Sequence, residues 1–268
     1  MSIISWIIDS HDYILKQWGD PRLEGYYFTG SFWGLLAVII AYLCFVTFLG
    51  PTLMEKRKPF NLKSAIIIYN IIQVICCAYL FIMITIYVLP HTNVFCAPCD
   101  RSQTVRGYLT SKLMYQYFLL KITDFLDTIF FVLKKSNRQI TFLHVYHHVM
   151  MAICSWIGVE LAPGGSSIYL EYINSFVHMV MYSYYLLCVV YGTSKVSWFK
   201  KQVTRLQLVQ FCCLIVIYAS PLLQPTCAYP RWTCWLSLVL NGHMLYAFGN
   251  FYHTTYIKHG KEKPVKAQ

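Results

Sequence analysis

Apolar residues run along the chain in seven long blocks separated by short polar joins. The blocks fall at roughly 31–50, 64–89, 113–133, 139–161, 167–191, 206–224 and 232–257. Each is close to the run of about 20 residues that crosses a bilayer core as a helix. The pattern predicts an all-α polytopic membrane protein: one membrane domain, 1–268, with seven transmembrane helices and a tail at 258–268. Pro90, Pro163-Gly164-Gly165 and Pro225 punctuate the joins. The short run Ile3–Ile8 ends at Asp9, too short for a span or a signal sequence. No cleavable leader is expected, and the first true span serves for insertion. No internal repeat stands out, which speaks against a transporter built from inverted halves.

Polar positions interrupt these blocks at helical spacing. The third span carries Lys121, Asp124, Asp127 and Thr128, with Lys121 and Asp124 three apart on one face. The fourth carries His144, His147 and His148, whose i, i+3, i+4 spacing puts three imidazoles on one side. The fifth steps through Glu171, Asn174, His178, Tyr182 and Tyr185. The sixth opens with Thr204, Gln207 and Gln210, and the seventh steps through His243, Tyr246, Asn250 and His253. The second offers Tyr69, Asn70 and Gln73, and the first almost nothing polar. Ionisable groups at membrane depth are costly and by default face a bundle interior or a watery cavity. Spans two to seven are therefore expected to turn polar stripes into a shared chamber, with the first helix peripheral. At a rise of 1.5 Å per residue, His147 lies about 13 Å and His178 roughly 20–25 Å from the cytosolic edge.

Composition sharpens this picture. Hydrophobic residues make up 57% of the chain and charged residues 12%, about half the usual share for a soluble domain. Mean hydropathy is +0.48. A soluble domain and a disordered chain are both excluded. The net charge of +11 comes largely from Lys56, Arg57, Lys58, Lys63, Lys134, Lys135, Arg138, Lys195, Lys200, Lys201, Arg205, Lys258, Lys261, Lys263 and Lys266. All fall in alternate joins or after the last span, so the positive-inside rule makes that side cytosolic. The N-terminus is then lumenal or external and the tail cytosolic. The charge is a topology signal, and no nucleic-acid partner is expected.

The histidines admit three readings. Three ionisable rings on one buried face are too costly to be merely structural. Such spacing can also ligate iron or zinc. Membrane di-iron enzymes, however, use several such boxes, and the other histidines (His11, His91, His178, His243, His253 and His259) form no second HxxH. No metal is expected, and no cofactor. Acid–base or nucleophilic catalysis takes most of the weight. Lys134, Lys135, Arg138, Lys200 and Lys201 are candidates to hold an anionic head group at the cytosolic mouth. Cys96/Cys99 and Cys227/Cys234 lie in loops on the opposite face. A bridge between those loops can form in an oxidising lumen, and Cys96 with Cys227 is the candidate pair. A seven-helix receptor is the main non-enzyme rival. The chain lacks both an acidic-Arg-Tyr triplet after span three, where Lys134-Lys135-Ser136 stands, and an NPxxY motif.

The motifs resemble the eukaryotic ELO-type very-long-chain fatty acid elongases, the membrane 3-oxoacyl-CoA synthases. The likeness runs through Asp20-Pro21-Arg22, Gly50-Pro51, Tyr69-Asn70 with Gln73, KITDFLDT (Lys121–Thr128) and FLHVYHH (Phe142–His148). It continues through NSFVHMVMYSYY (Asn174–Tyr185), TRLQLVQ (Thr204–Gln210) and FGNFYHTTYIK (Phe248–Lys258). Asp124 stands where the family usually has Glu, one methylene longer. Lys266 belongs to an incomplete dilysine retrieval signal. Gln139, five residues before His144, resembles the subgroup acting on very long or polyunsaturated chains.

The resemblance implies condensation of a long-chain acyl-CoA with malonyl-CoA, releasing CoA and carbon dioxide, in the endoplasmic reticulum membrane. It implies helices two to seven around a substrate tunnel. His147 would act as nucleophile, forming an acyl-imidazole. His144, His148, His178 and Asn174 would act as donors, and Lys121, Asp124 and Asp127 as charge balance. Tyr182, Tyr185, Gln207, Gln210, His243, Tyr246, Asn250, Tyr252 and Lys258 would line the substrate path. Membrane lipid, the reductases and dehydratase of the elongation cycle, and a second copy of the chain are the partners it suggests.

Overall fold

The computed structural model describes residues 2–258. His259 and the tail lysines Lys261, Lys263 and Lys266, with the incomplete retrieval signal, lie outside the described residues. The described chain is all-α, in the order α1 (Ile3–Trp18), α2 (Phe32–Cys44), α3 (Gly50–Met54), α4 (Lys63–Tyr87), α5 (Val105–Thr123), α6 (Phe125–Leu133), α7 (Phe142–Leu161), α8 (Ser167–Tyr191), α9 (Ser197–Leu223) and α10 (Arg231–Tyr252).

Five stretches are long and apolar enough to cross a membrane: Phe32–Met54, Lys63–His91, Phe142–Leu161, Ser167–Tyr191 and Ser197–Leu223. The chain is thus a multi-pass membrane protein by length and composition. The α5–α6 unit and α10 are also long, but their polar residues keep them below that apolar threshold.

Local chemistry sets the ends and breaks. Thr104 caps α5 by accepting from the Gly107 N–H, and Thr141 caps α7 by accepting from the His144 N–H. Pro51 has no N–H to give, and a π-helical turn, Phe45–Leu49, absorbs the mismatch between α2 and α3. Gly50 lets this kinked span approach α6, since a Cβ there would lie 2.6 Å from Val132 Cγ1. The sequence predicts one unbroken helix over 113–133. The structure instead starts a helix eight residues earlier and breaks it at Asp124. Irregular backbone at membrane depth is tolerated where it is buried in protein, and Asp124 is 2% exposed.

The helices pack in a defined order. α4 lies along α8, α8 against α9, and α9 along α10; on the other flank α7 packs on α5, which touches α4. No comparable contact joins α7 to α10 among the described residues. They meet across a seam at the Tyr146 and His243 rings, 5.2 Å apart.

The first membrane helix is not simply peripheral. Leu35, Ile39, Tyr42 and Val46, spaced 4, 3 and 4, are buried as one stripe against the core.

One end of the bundle is closed by loops. Arg22 pairs with Asp20 at 2.6 Å and donates to the backbone oxygens of Asp100 and Ser102. Arg101 donates to the carbonyls of Trp18, Gly19 and Leu161. Cys96 is disulfide-bonded to Cys227, while Cys99 and Cys234 are free. Gly165 has φ +58°, and a Cβ there would sit 2.6 Å from the Ala97 carbonyl oxygen, so the tight turn before α8 requires glycine.

Candidate active site

The break at Asp124 lets one carboxylate take bonds from three elements. Its Oδ2 accepts from Lys121 Nζ at 2.9 Å, and its Oδ1 accepts from Gln73 of α4 at 2.9 Å and from the Tyr182 hydroxyl of α8 at 2.9 Å. The shorter side chain at this position therefore still has a full set of donors. Tyr182 also reaches Asp127 at 2.8 Å, so a single O–H bridges two carboxyls. Tyr69 lies 3.3 Å from the Tyr182 oxygen and accepts from Gln73 at 2.8 Å.

Lys121 is the hub on the other side. Its ammonium donates to Asn174 Oδ1 at 3.0 Å and lies 3.2 Å from His178 Nδ1; the Tyr117 hydroxyl also donates to Asn174 Oδ1, at 2.9 Å. A lysine ammonium has only donors. His178 Nδ1 must therefore be the acceptor, which leaves the ring proton on Nε2. This tautomer assignment follows from the partner.

The three histidines of α7 fan out over about 100° of helix circumference and go to different partners. His144 Nε2 lies 2.9 Å from Thr128 Oγ1, which is 2.8 Å from the buried Tyr42 hydroxyl of α2. His148 is buried, with its ring 4.3 Å from that of His144. His147 is half-buried and makes no hydrogen bond among the described residues. Its ring faces that of His178 at a centroid distance of 6.4 Å and an interplanar angle of 29°. Counting along the helices put His147 and His178 at different depths. In the structure they face each other, because α8 runs farther toward the Lys134 end than α7 does.

Other expected residues divide. Tyr182 is fully buried in the network, while Tyr185, 37% exposed, stands beside it with rings 5.9 Å apart. Gln210 is buried, and Gln207 is half-buried against Met181 Sδ at 3.7 Å. Lys201 and Tyr252 do come together, with Nζ 5.8 Å from the ring centroid. They are joined by Arg205, whose Nε donates to the Tyr252 hydroxyl at 2.9 Å. Lys134, Lys135, Arg138 and Lys200 are exposed and do not converge; Lys135 donates to the Glu55 carbonyl.

The stripe on α10 needs correction. His243, Tyr246, Asn250 and His253 are exposed, as is Lys258, and they do not join the buried cluster. α10 buries Thr233, Cys234, Asn241 and Met244 instead, leaving the predicted stripe on the flank that faces the α7 seam. Helical spacing shows which residues share a face. It does not say whether a neighbour covers that face.

Sequence reasoning missed Tyr42, Tyr117 and Arg205 as site residues. The Leu35–Ile39–Tyr42–Val46 spacing was the available signal for Tyr42, and Tyr117 lies one turn before Lys121. Nothing in the local pattern marked Arg205 apart from its neighbouring cations.

A buried lysine–carboxylate pair holding a histidine tautomer opposite a free imidazole on another helix is an arrangement suited to acyl transfer. Comparison with known proteins agrees with the motifs that form it. The model of the ELO family (GNS1/SUR4) matches residues 27–264. The chain belongs to this family. It is 38% identical over 259 residues to a very long chain fatty acid elongase of Aedes aegypti, covering 96% of this chain and 72% of that one. It is 35% identical over 274 residues to Drosophila melanogaster very long chain fatty acid elongase 7, covering 100% and 82%. Against human very long chain fatty acid elongase 4, identity is 35% over 251 residues, covering 92% and 79%. The ELO motifs supply Lys121, Asp124 and His178 of the buried network, and His147, whose ring faces it.

Proposed function

We propose that this ELO-family protein is a very-long-chain 3-oxoacyl-CoA synthase, condensing a long-chain acyl-CoA with malonyl-CoA. The α5–α6 unit and α10 complete seven spans, and spans two to seven surround an acyl tunnel that enters from the cytosol. The N-terminus is lumenal, the C-terminus cytosolic, and the endoplasmic reticulum membrane is the site of action. The basic joins between alternate spans support this orientation.

The observation that carries the chemistry is the free His147 imidazole facing a His178 whose Nδ1 is engaged by Lys121. His147 attacks the thioester carbonyl carbon with its ring lone pair, and the C–S bond breaks. The imidazole proton passes to the departing thiolate, giving CoA and an acyl-imidazole. Splitting the condensation this way replaces one hard step by two easier ones. His178 Nε2–H is a placed donor for the tetrahedral oxyanion. Malonyl-CoA then binds and loses carbon dioxide, and its enolate carbon attacks the acyl carbon. The C–N bond to His147 breaks, the departing imidazolate takes up one proton from water, and the 3-oxoacyl-CoA leaves two carbons longer. The Lys201, Arg205 and Tyr252 cluster is suited to the anionic head group at the mouth.

The test is purified protein incubated with acyl-CoA alone, digested and weighed by mass spectrometry. An acyl adduct on the His147 peptide is expected, discharged by malonyl-CoA. No adduct, together with full activity in His147→Ala, overturns the covalent mechanism in favour of direct condensation with a histidine base.

A further inference from the structure

The proposed chemistry makes no use of α1. Its 16 residues extend about 24 Å, short of the roughly 30 Å of a hydrocarbon core, and it carries Asp9, Asp12 and Lys16. It is therefore not a further span, yet its residues sort by side. Ile3, Ile7, Ile14 and Trp18 step by 4, 7 and 4, with Ile4 and Ile8 beside them. Ser5, Asp9, Asp12 and Lys16 step by 4, 3 and 4 on the far side.

Two tethers hold α1 at one level of the bundle. His11 Nε2 accepts from the Phe32 N–H at 3.0 Å, where the first span begins. At the other end, Arg101 donates to the Trp18 and Gly19 carbonyls and to that of Leu161, the last residue of α7. Phe32 and Leu161 both belong to the capped end, where the Gly30 N–H donates to Glu160 at 3.0 Å. His11 and Trp18 are about 10 Å apart along the helix. Pinned at both points to the same end of the bundle, α1 lies along that end and not across the membrane.

The apolar side is left open. Leu15 packs against the core, but Ile7 and Ile14 are each 43% exposed and Trp18 62%. This bare side continues the outward stripe of the first span, in which Trp33, Ala37, Ile40 and Cys44 step by 4, 3 and 4 and are all exposed. The two surfaces join where the His11 and Trp33 rings lie 5.2 Å apart. A water-facing surface rarely carries so continuous an apolar strip. A helix lying in the membrane interface buries such a strip in lipid, and Trp6, Trp18 and Trp33 supply the ring type that settles at headgroup level.

We infer that α1 is an interfacial helix whose Ile3–Ile7–Ile14–Trp18 side docks among the acyl chains just beneath the headgroups of the leaflet at the capped end. Asp9, Asp12 and Lys16 face water. The partner is the phospholipid surface itself. Asp9, Asp12 and Lys16 sum to one negative charge, so the docking is apolar and calls for no anionic headgroup.

The experiment uses the full-length protein at one chain per phosphatidylcholine nanodisc, with Ile7→Cys and Asp9→Cys made separately. A water-soluble maleimide is added, and labelling of the N-terminal peptide is followed by mass spectrometry, which keeps the native cysteines apart. The protein itself leaves both positions exposed, so without lipid cover the two would react alike. Apolar surroundings raise a thiol's pKa, and a rise of one unit slows labelling about tenfold. Ile7→Cys is expected to react at least about tenfold more slowly than Asp9→Cys, with the gap closing when the chain is unfolded in guanidinium. Ile14→Cys against Lys16→Cys repeats the contrast if Ile7→Cys fails to fold. Equal rates in the folded protein overturn the inference and place α1 in water. Slow labelling of Ile7→Cys only in discs that hold two chains also overturns it, and assigns the face to a second copy.

Discussion

Among the described residues, a buried arginine–aspartate pair and a buried lysine–aspartate pair have similar geometry and different use. At the capped end, Arg22 and Asp20 meet at 2.6 Å; at mid-bundle, Lys121 and Asp124 meet at 2.9 Å. Around Arg22 the remaining donors go to backbone carbonyls of the 100–102 loop, and Asp20 accepts from Ser111 at 2.9 Å. These partners have no chemistry to offer, so the pair acts as a clasp between the N-terminal segment and that loop. Around Lys121 the remaining donors go to side chains, Asn174 and His178, and His178 faces the free His147. The guanidinium's fixed fork suits several carbonyls at once, whereas the compact ammonium gathers three different groups at one point. Burying a pair is therefore not in itself a mark of catalysis; what the spare hydrogen bonds reach decides it.

The comparison can be broken most sharply at His147. Because it holds nothing in place, His147→Ala is expected to lower malonyl-dependent turnover by about 10³-fold or more while the melting temperature in detergent barely moves. Equal loss of both would make His147 a structural residue. Next in size are Lys121→Met and Arg22→Met, each of which strands a buried carboxylate at a cost of about 3–5 kcal/mol. Both should melt early. Per folded molecule, only Lys121→Met should also lose its turnover, measured on the monomeric fraction at low temperature.

The clasp also has a pH signature. Burial alone would raise the Asp20 pKa, but the hydrogen bonds and charge of Arg22, with the Ser111 hydroxyl, outweigh it and hold the carboxyl below its ordinary value of 3.8. A group depressed in the folded state contributes its stability in full above the unfolded value and loses it as pH falls through the folded one. Wild-type melting temperature should therefore drop below about pH 4, and Asp20→Asn, less stable at neutral pH, should lose less over that range. Parallel curves would remove Asp20 from the account. The smallest effect is expected from Tyr42→Phe, which takes one hydroxyl from the Tyr42–Thr128–His144 chain. Stability should fall by about 0.5–1.5 kcal/mol, with a measurable loss of turnover if His144 needs its orientation. Unchanged kinetics would confine Tyr42 to packing.

Several of these contacts were legible in the residues alone. The Lys121–Asp124 pair follows from their spacing, and the grouping of His144, His147 and His148 on one side of α7 from theirs. Apolar block length gave the membrane character, because the bilayer thickness sets it. The ELO motifs gave the family. Other features were out of reach. The break at Asp124 arises because its bonds to Gln73 and Tyr182 come from α4 and α8. Tyr42 counted as apolar until Thr128 was found beside it. On α10, the His243–Tyr246–Asn250 stripe was identified correctly as one face and placed wrongly in the interior, since these three residues are exposed among the described residues.

Periodicity and hydropathy are local properties, fixed by 3.6 residues per turn and the cost of polar atoms in lipid. They determined the helices and which residues travel together on each. The meeting of His147 with His178 and the sharing of Asp124 among three elements depend on how helices distant in sequence rotate and dock. Only the packed bundle decides that, because each of those contacts takes one partner from each of two helices, and neither helix alone specifies the other's angle.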